Sequence, residues 1–256
     1  MDLLKIFQYR YLLQRLVLRD IVKKYRRSVL GILWSILKPL LMMGIIAMVF
    51  SSFFRFQIDN YPLYLLIGQI LFSFFSESTN FSMTSILENS SLIKKVYIPK
   101  IMFPLSRVLS GCINLLFSIP ALVIICLVTG QPLSIEMVSF ILPLILFFFF
   151  VLGVGLILGT IVVFFRDIYH LYGILLTILS YMTPIFYPEE IVPMEYKGVL
   201  LFNPLYYYLY AFRQSLYNGR VPDLNLLIIC TCISIVSMLL GVWLFKKYEN
   251  QFILYI

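Results

Sequence analysis

YLLQRLVLRDIVKKYRRSVLGILWSILKPLL, residues 11–41, changes character halfway along. In its first half Arg15, Arg19 and Lys23 recur at a spacing of four, while Leu13, Val17 and Ile21 recur at the same spacing about half a turn away. On a helix these sets fall on opposite faces, and Arg26 and Arg27 extend the basic one. No acidic block balances them. An uninterrupted apolar segment begins near Val29. The spacing predicts a basic amphipathic helix over residues 11–28, lying along an anionic membrane surface before the chain turns inward.

Composition extends that reading to the whole chain. Of 256 residues, 61% are hydrophobic and 12% charged, against about 45–50% and 25% in soluble domains. The apolar runs are long and continuous, without the ten-residue alternation of a membrane β-barrel, so the fold expected is an all-α integral membrane protein in one domain, residues 1–256. The net charge of +8 then belongs to loops at the membrane, not to nucleic-acid binding. Cys112, Cys126, Cys230 and Cys232 lie within apolar runs and read as small packing residues. His170 is the single histidine, which cannot by itself make a metal site.

Six spans are expected, over residues 31–54, 61–79, 101–128, 137–165, 171–186 and 224–245. Lys38 is expected to snorkel from the first span and Pro39 to kink it, Glu77 to sit at the interface at the far end of the second, and Arg107 to snorkel from the start of the third. The first apolar run starts too late and runs too long for a cleaved signal, so it is expected to remain as a span. In the fourth span GVGLILG, residues 153–159, has no strand or βαβ context, and its glycines read as close helix packing. Arg166, Asp167 and His170 read as an interfacial loop.

Residues 189–223 break the pattern. The part from 199 to 217 is nearly long enough to span, but Asn203-Pro204 interrupts it and Arg213 charges its second half. The expectation is a re-entrant hairpin of two half-helices between the fifth and sixth spans, with Asn203 and the free N–H groups at Pro204 seeking water or a polar ligand. Tyr206, Tyr207, Tyr208 and Tyr210 offer ring faces to a ligand or to the membrane interface, whereas the run Phe147 to Phe150 reads as packing or lipid contact.

This topology puts sixteen lysines and arginines on the side of the N-terminus, from Lys5 to Lys247, and only Arg55, Lys197, Arg213 and Arg220 on the other. By the positive-inside rule both termini are cytoplasmic. There is no D-x-D, no G-x-x-x-x-G-K-[ST], no H-E-x-x-H and no G-x-S-x-G, nor a run of carboxylates inside the spans. The chain reads as a pathway without its own catalytic site or energy source.

Six segments carry a resemblance: RDIVKKYRRSVLGILWSILKPLL (19–41), VFSSFF (49–54), SLIKKVYIPKIMFPLSRV (91–108), VVFFRDI (162–168), TPIFYP (183–188) and NPLYYYLYAFRQSLYNG (203–219). Together they resemble the permease subunits of bacterial ABC transporters that export polysaccharides, the group serving lipid-linked O-antigen, capsule and wall teichoic acid. The resemblance implies a homodimer in the inner or plasma membrane, joined by two copies of a cytoplasmic ATPase. ATP and Mg would be held by that partner, with no cofactor on this chain. It implies a channel between the permease copies for a lipid-linked polysaccharide. It also implies a coupling helix over residues 88–100 (Glu88, Leu92, Lys94, Lys95, Tyr97, Pro99), an interface helix at the cytoplasmic entrance (Arg15, Arg19, Lys23, Arg26, Arg27) and an outer gate (Asn203, Pro204, Tyr206, Tyr207, Tyr208, Arg213). Two other readings remain open: an efflux permease for drugs or simple lipids, and a membrane-embedded glycan-processing enzyme.

Overall fold

The computed structural model describes residues 8–53 and 58–256. Lys5 of the charge count, the expected end of the first span at Phe54 and the loop residue Arg55 lie outside the described residues. Helix α1 covers Arg10–Tyr25, and a 3-10 turn at Gly31–Leu33 leads into α2, Trp34–Phe53. The chain continues with α3, Tyr61–Glu88, the single turn α4, Ser90–Ile93, and α5, Met102–Thr129. A 3-10 segment, Ile135–Phe140, precedes α6, Ile141–Phe164, and α7 is Ile168–Met182. The short helices α8, Met194–Phe202, and α9, Pro204–Leu216, are followed by α10, Leu224–Tyr248, and α11, Phe252–Tyr255. No strand occurs among the described residues.

Among the described residues four helical stretches are long and apolar enough to cross a membrane: Gly31–Phe50, Met102–Thr129, Ile135–Phe164 and Leu224–Tyr248. The two other expected spans each meet one criterion. With 28 residues α3 is long enough, about 42 Å at 1.5 Å per residue, but it is rich in serine, threonine and asparagine. With 15 residues α7 is apolar but covers only about 22 Å of a hydrocarbon core of about 30 Å. The sequence ran this helix on to Phe186. It ends at Met182 because the residue before Pro184 cannot stay helical, and Thr183 is extended (φ −96°, ψ 129°).

Helix α3 is the spine. Fifteen of its residues are buried, and α5, α6 and α9 all pack on it. Its buried serines let helices approach closely: a Cβ added to Gly111 of α5 would lie 1.9 Å from Ser78 Oγ, and one on Gly155 of α6 would lie 2.8 Å from Ser82. Ser82 Oγ also donates to Pro104 O at 3.0 Å. The GVGLILG segment thus packs as the sequence indicated, with Gly155 and Gly159 against α3 and Gly153 against α10. Around this seam sits an aromatic cluster in which the fully buried Tyr208 lies 4.8 Å from Phe147 and 5.3 Å from Phe150, centroid to centroid.

Two helix irregularities are compensated by side chains. Pro39 lies inside α2 and cannot donate to Ser35 O, and Ser118 Oγ of α5 donates to that carbonyl at 3.0 Å. At the start of α3, Asn60 adopts φ 35°, its Oδ1 accepts from Leu63 N, and its Nδ2 donates to Thr129 Oγ1 at 2.8 Å, joining the start of α3 to the end of α5.

At the crossing of α6 and α10 backbone meets backbone, and a Cβ on Gly241 would lie 2.5 Å from Gly153 O. Gly241→Val should therefore destabilise the protein by about 2–3 kcal/mol through overpacking. Gly173→Ala, on α7 where no atom lies near the added Cβ, should leave stability unchanged or slightly raised. Thermal unfolding of the purified protein in detergent, read as loss of the monodisperse peak, distinguishes the two.

Candidate functional site

At the Glu88 end of α3 the basic helix α1 is held to the bundle by acids. Asp20 of α1, with its side chain 6% exposed, pairs with Arg107 Nη1 of α5 at 3.1 Å and with Arg19 Nη2 at 3.2 Å. Arg107 Nη2 reaches Glu88 Oε2 at 2.6 Å, and Arg19 Nη1 donates to Asn89 Oδ1 at 3.0 Å. One turn along α1, Lys24 pairs with Glu77 Oε2 at 2.7 Å, and Lys38 of α2 approaches the other oxygen at 3.6 Å.

This cluster corrects three sequence expectations. Arg107 does not snorkel to the interface: its side chain is only 10% exposed and its charge is met inside the protein. Glu77 is not at a helix end, because α3 continues through Glu88. Nor are the cations of α1 wholly unmet, since the buried Asp20 pairs with Arg19 and Glu77 with Lys24. Leu16 and Val17 are the buried apolar residues of α1, while Arg15, Arg19, Lys23, Arg26 and Arg27 remain exposed. The helix is amphipathic, but part of its inner face meets α5 rather than lipid.

The segment 88–100 is not one helix. Glu88 closes α3, and Asn89 is buried and donates to Ser85 O at 2.7 Å. The single turn α4 follows, then a turn and irregular chain into Pro99, consistent with the bias of the residue before a proline against helix. Leu92 and Pro99 are half-buried, whereas Lys94, Lys95, Val96 and Tyr97 form the exposed tip, with Tyr97 93% exposed. Lys100 faces away from this tip: its Nζ donates to Glu249 O and lies 5.9 Å above the Phe252 ring, and burial lowers its pKa.

At the Tyr61 end of α3, helices α8 and α9 meet at Asn203. The break is where the sequence put it, but its polar groups are already satisfied. Asn203 is buried, its Oδ1 caps Leu205 N at 3.0 Å, and its Nδ2 donates to Thr183 Oγ1 at 2.8 Å. No polar ligand is needed there. Tyr208 is equally internal, bonding Cys230 O at 2.9 Å, so it presents no ring face to a ligand. Pro204, Tyr206 and Tyr207 are half-buried; Tyr206 donates to Glu189 Oε2 at 2.6 Å and Tyr207 to Leu201 O at 2.9 Å.

Sequence reasoning missed the partners of this hairpin. Residues 183–188 run without helix through the protein, and their carbonyls are met by side chains. Tyr61 donates to Phe186 O at 2.8 Å, Tyr64 to Tyr187 O at 2.9 Å, and Arg213 Nη2 to Ile185 O at 3.3 Å. The signal lay in Tyr61 and Tyr64, two phenols a single turn apart at the start of an apolar helix, facing a proline-bracketed run.

Between the two ends, Gln69, Ser73, Ser76, Glu77, Asn80 and Thr84 share one face of α3, and none of them is buried. This polar stripe runs about 22 Å along the helix axis. Beside it a cavity of about 340 Å³, lined by Lys24, Lys38, Gln69, Glu77, Asn114 and Ser118 among others, opens between α2, α3 and α5. Among the described residues no cluster of histidine, cysteine or carboxylates has metal-site geometry.

Removing Arg107 leaves the buried Asp20 with the half-exposed Arg19 as its remaining ion-pair partner. Arg107→Ala should therefore cost about 3 kcal/mol, the low end for a broken buried pair, while Arg19→Ala should cost under about 1 kcal/mol. The double variant Asp20→Asn, Arg107→Ala should be less damaging than the sum of its parts, which a thermal double-mutant cycle measures.

Comparison with known proteins gives this architecture a family. The model of the ABC-2 type transporter family matches residues 11–217. The chain is 30% identical over 236 residues to an O-antigen export system permease protein RfbA of Klebsiella pneumoniae, covering 91% of this chain and 90% of that one. It is 29% identical over 250 residues to the protein of the same name from Myxococcus xanthus, covering 97% and 96%. It is 27% identical over 243 residues to the polysialic acid transport protein KpsM of Escherichia coli, covering 93% of each. With the family match extending from α1 through α9, this chain belongs to the ABC-2 type transporter family, as a membrane permease.

Proposed function

We propose that the chain is the permease subunit of an ATP-driven exporter of a lipid-linked cell-surface polysaccharide, of the O-antigen, capsule or teichoic acid kind. Similarity to O-antigen and polysialic acid permeases along nearly their whole lengths supports the substrate class. The observation that carries a translocation role is the polar stripe on α3. In a chain so apolar, six polar residues on one partly exposed face of a central helix are costly against lipid and favourable against water.

A second copy completes the path. Exposed apolar residues on α2, such as Leu41, Ile45 and Met48, and on α7, such as Leu171, Ile174 and Ile178, suit burial against that copy or against lipid. In this reading the permease is a homodimer in the inner or plasma membrane with six spans per copy, α3 and α7 included. The α8–α9 hairpin re-enters the membrane from outside, and both termini are cytoplasmic. A hydrated surround makes the polarity of α3 tolerable, and residues 183–188 extend the reach of the short α7.

Two copies of a separate ATPase, holding ATP and Mg, dock on the exposed tip Lys94–Tyr97. The ion pairs of Arg107 carry their movement to α1 at the entrance, where Arg15, Arg19, Lys23, Arg26 and Arg27 face anionic headgroups. The outer hairpin acts as the gate through Tyr206, Tyr207 and Arg213, with Asn203 and Pro204 as its internal pivot and Tyr208 as its anchor in the core.

Three measurements test this. Cysteines at Ser90 and Gln251, in a background lacking the four native ones, should resist an impermeant thiol reagent in intact cells, while one at Glu190 should react; the reverse pattern inverts the topology. Lys94→Glu with Lys95→Glu should release the ATPase and stop export while the permease stays in the membrane; unchanged copurification and export would remove the docking role. Ser73→Leu with Ser76→Leu should cut surface polysaccharide at least tenfold without loss of assembly, and normal display would show that the stripe is not the path.

A further inference from the structure

A second cavity, of about 330 Å³, lies at the Tyr61 end of α3, between the start of that helix, residues 184–190 and α9. Unlike the cavity between α3, α5 and the 3-10 segment, which is lined almost wholly by leucine, isoleucine and other apolar side chains, this one mixes three kinds of group. Arg213 and Tyr64 form one part of the wall, and the carboxylates Asp59, Glu189 and Glu190 another. Tyr206 and Tyr210 supply the third, with ring planes 15° apart.

Arg213 is the group left unfinished. Only 8% exposed, it gives Nη2 to Ile185 O, lays its guanidinium 3.4 Å over the Tyr64 ring, and leaves Nε without a partner. Among the described residues it makes no ion pair. A buried guanidinium has five donors, and a carbonyl and a ring face do not satisfy them. Across the cavity, Glu189 accepts from Tyr206, while Glu190 is exposed.

The occupant must therefore accept hydrogen bonds from an arginine, donate them to carboxylates, and present an apolar face to aromatic rings. A free inorganic anion meets the first need but is repelled by three carboxylates. A metal cation meets the second but is repelled by Arg213. A lipid tail meets only the third. A sugar meets all three, since each hydroxyl both donates and accepts and the ring's axial C–H groups pack on tyrosine. We infer that this cavity binds a hydroxylated sugar unit of the glycan, one in each permease copy, beside the outer gate. The assignment rests on the polysaccharide reading above and adds a subsite to it.

The test uses the permease–ATPase complex in lipid nanodiscs, with the oligosaccharide repeat released from the producing cell's surface polymer as probe. Saturation-transfer NMR should show transfer from the wild-type complex to the sugar protons. Tyr210→Ala and the isosteric Glu190→Gln, both at exposed positions, should each weaken binding roughly tenfold, equivalent to about 1.4 kcal/mol. Each should also lower surface display. If wild-type cells display polymer but the complex gives no transfer, or if Glu190→Gln and Tyr210→Ala bind as wild type does, the cavity assignment falls while the export reading stands. If cells relying on this permease display no polymer, the export reading falls and takes the subsite with it.

Discussion

Close approach to α3 sets the arrangement of this bundle. In lipid the burial of apolar surface supplies little drive for helices to associate, so helices that pack do so by fitting backbone to backbone and by sharing hydrogen bonds. Ser78 and Ser82 show no exposed surface, and the glycines of α5 and α6 sit directly against them. With α5 and α6 fixed in this way, α10 takes its place through the Gly153–Gly241 crossing, and the aromatic cluster around Tyr208 draws α9 into the core. Helix α3 can be hydrophilic on its inner side because protein covers it there, while the polar residues from Gln69 to Thr84 lie on a partly exposed face.

The same logic explains which features were legible in the sequence. The long apolar stretches of α2, α5, α6 and α10 were plain from hydropathy, and the break at Asn203-Pro204 from the chemistry of proline. What composition cannot reveal is pairing across space. Asp20 lay inside a stretch read as basic, and nothing local says that it meets Arg107, 87 positions on. Arg107 near the start of a span looks the same from sequence whether it reaches water or a buried carboxylate. Asn203 was rightly placed at a break, but its needs were assigned to a ligand because Thr183, which meets them, is twenty residues away.

The two ends of α3 solve different problems by similar means. At one end charges that would be costly in the interior are grouped so that each meets an opposite. At the other, an irregular segment that would expose bare carbonyls is laced by phenols and a guanidinium. A displacement of α3 along its axis would disturb both sets at once. One continuous helix thus joins the end beside the segment that carries Lys94 and Lys95 to the end that packs on Arg213.

The C-terminal turn has a practical consequence. Phe252 of α11 is fully buried against Phe245 and beneath Lys100, and Tyr255 meets Phe164 edge to face at 4.9 Å, so the final residues are folded back beside the segment that follows the exposed tip. A fusion partner or affinity tag attached directly after Ile256 would emerge at that edge and compete for space with whatever binds there. Reporter fusions there call for a linker long enough to clear the Lys94–Tyr97 surface.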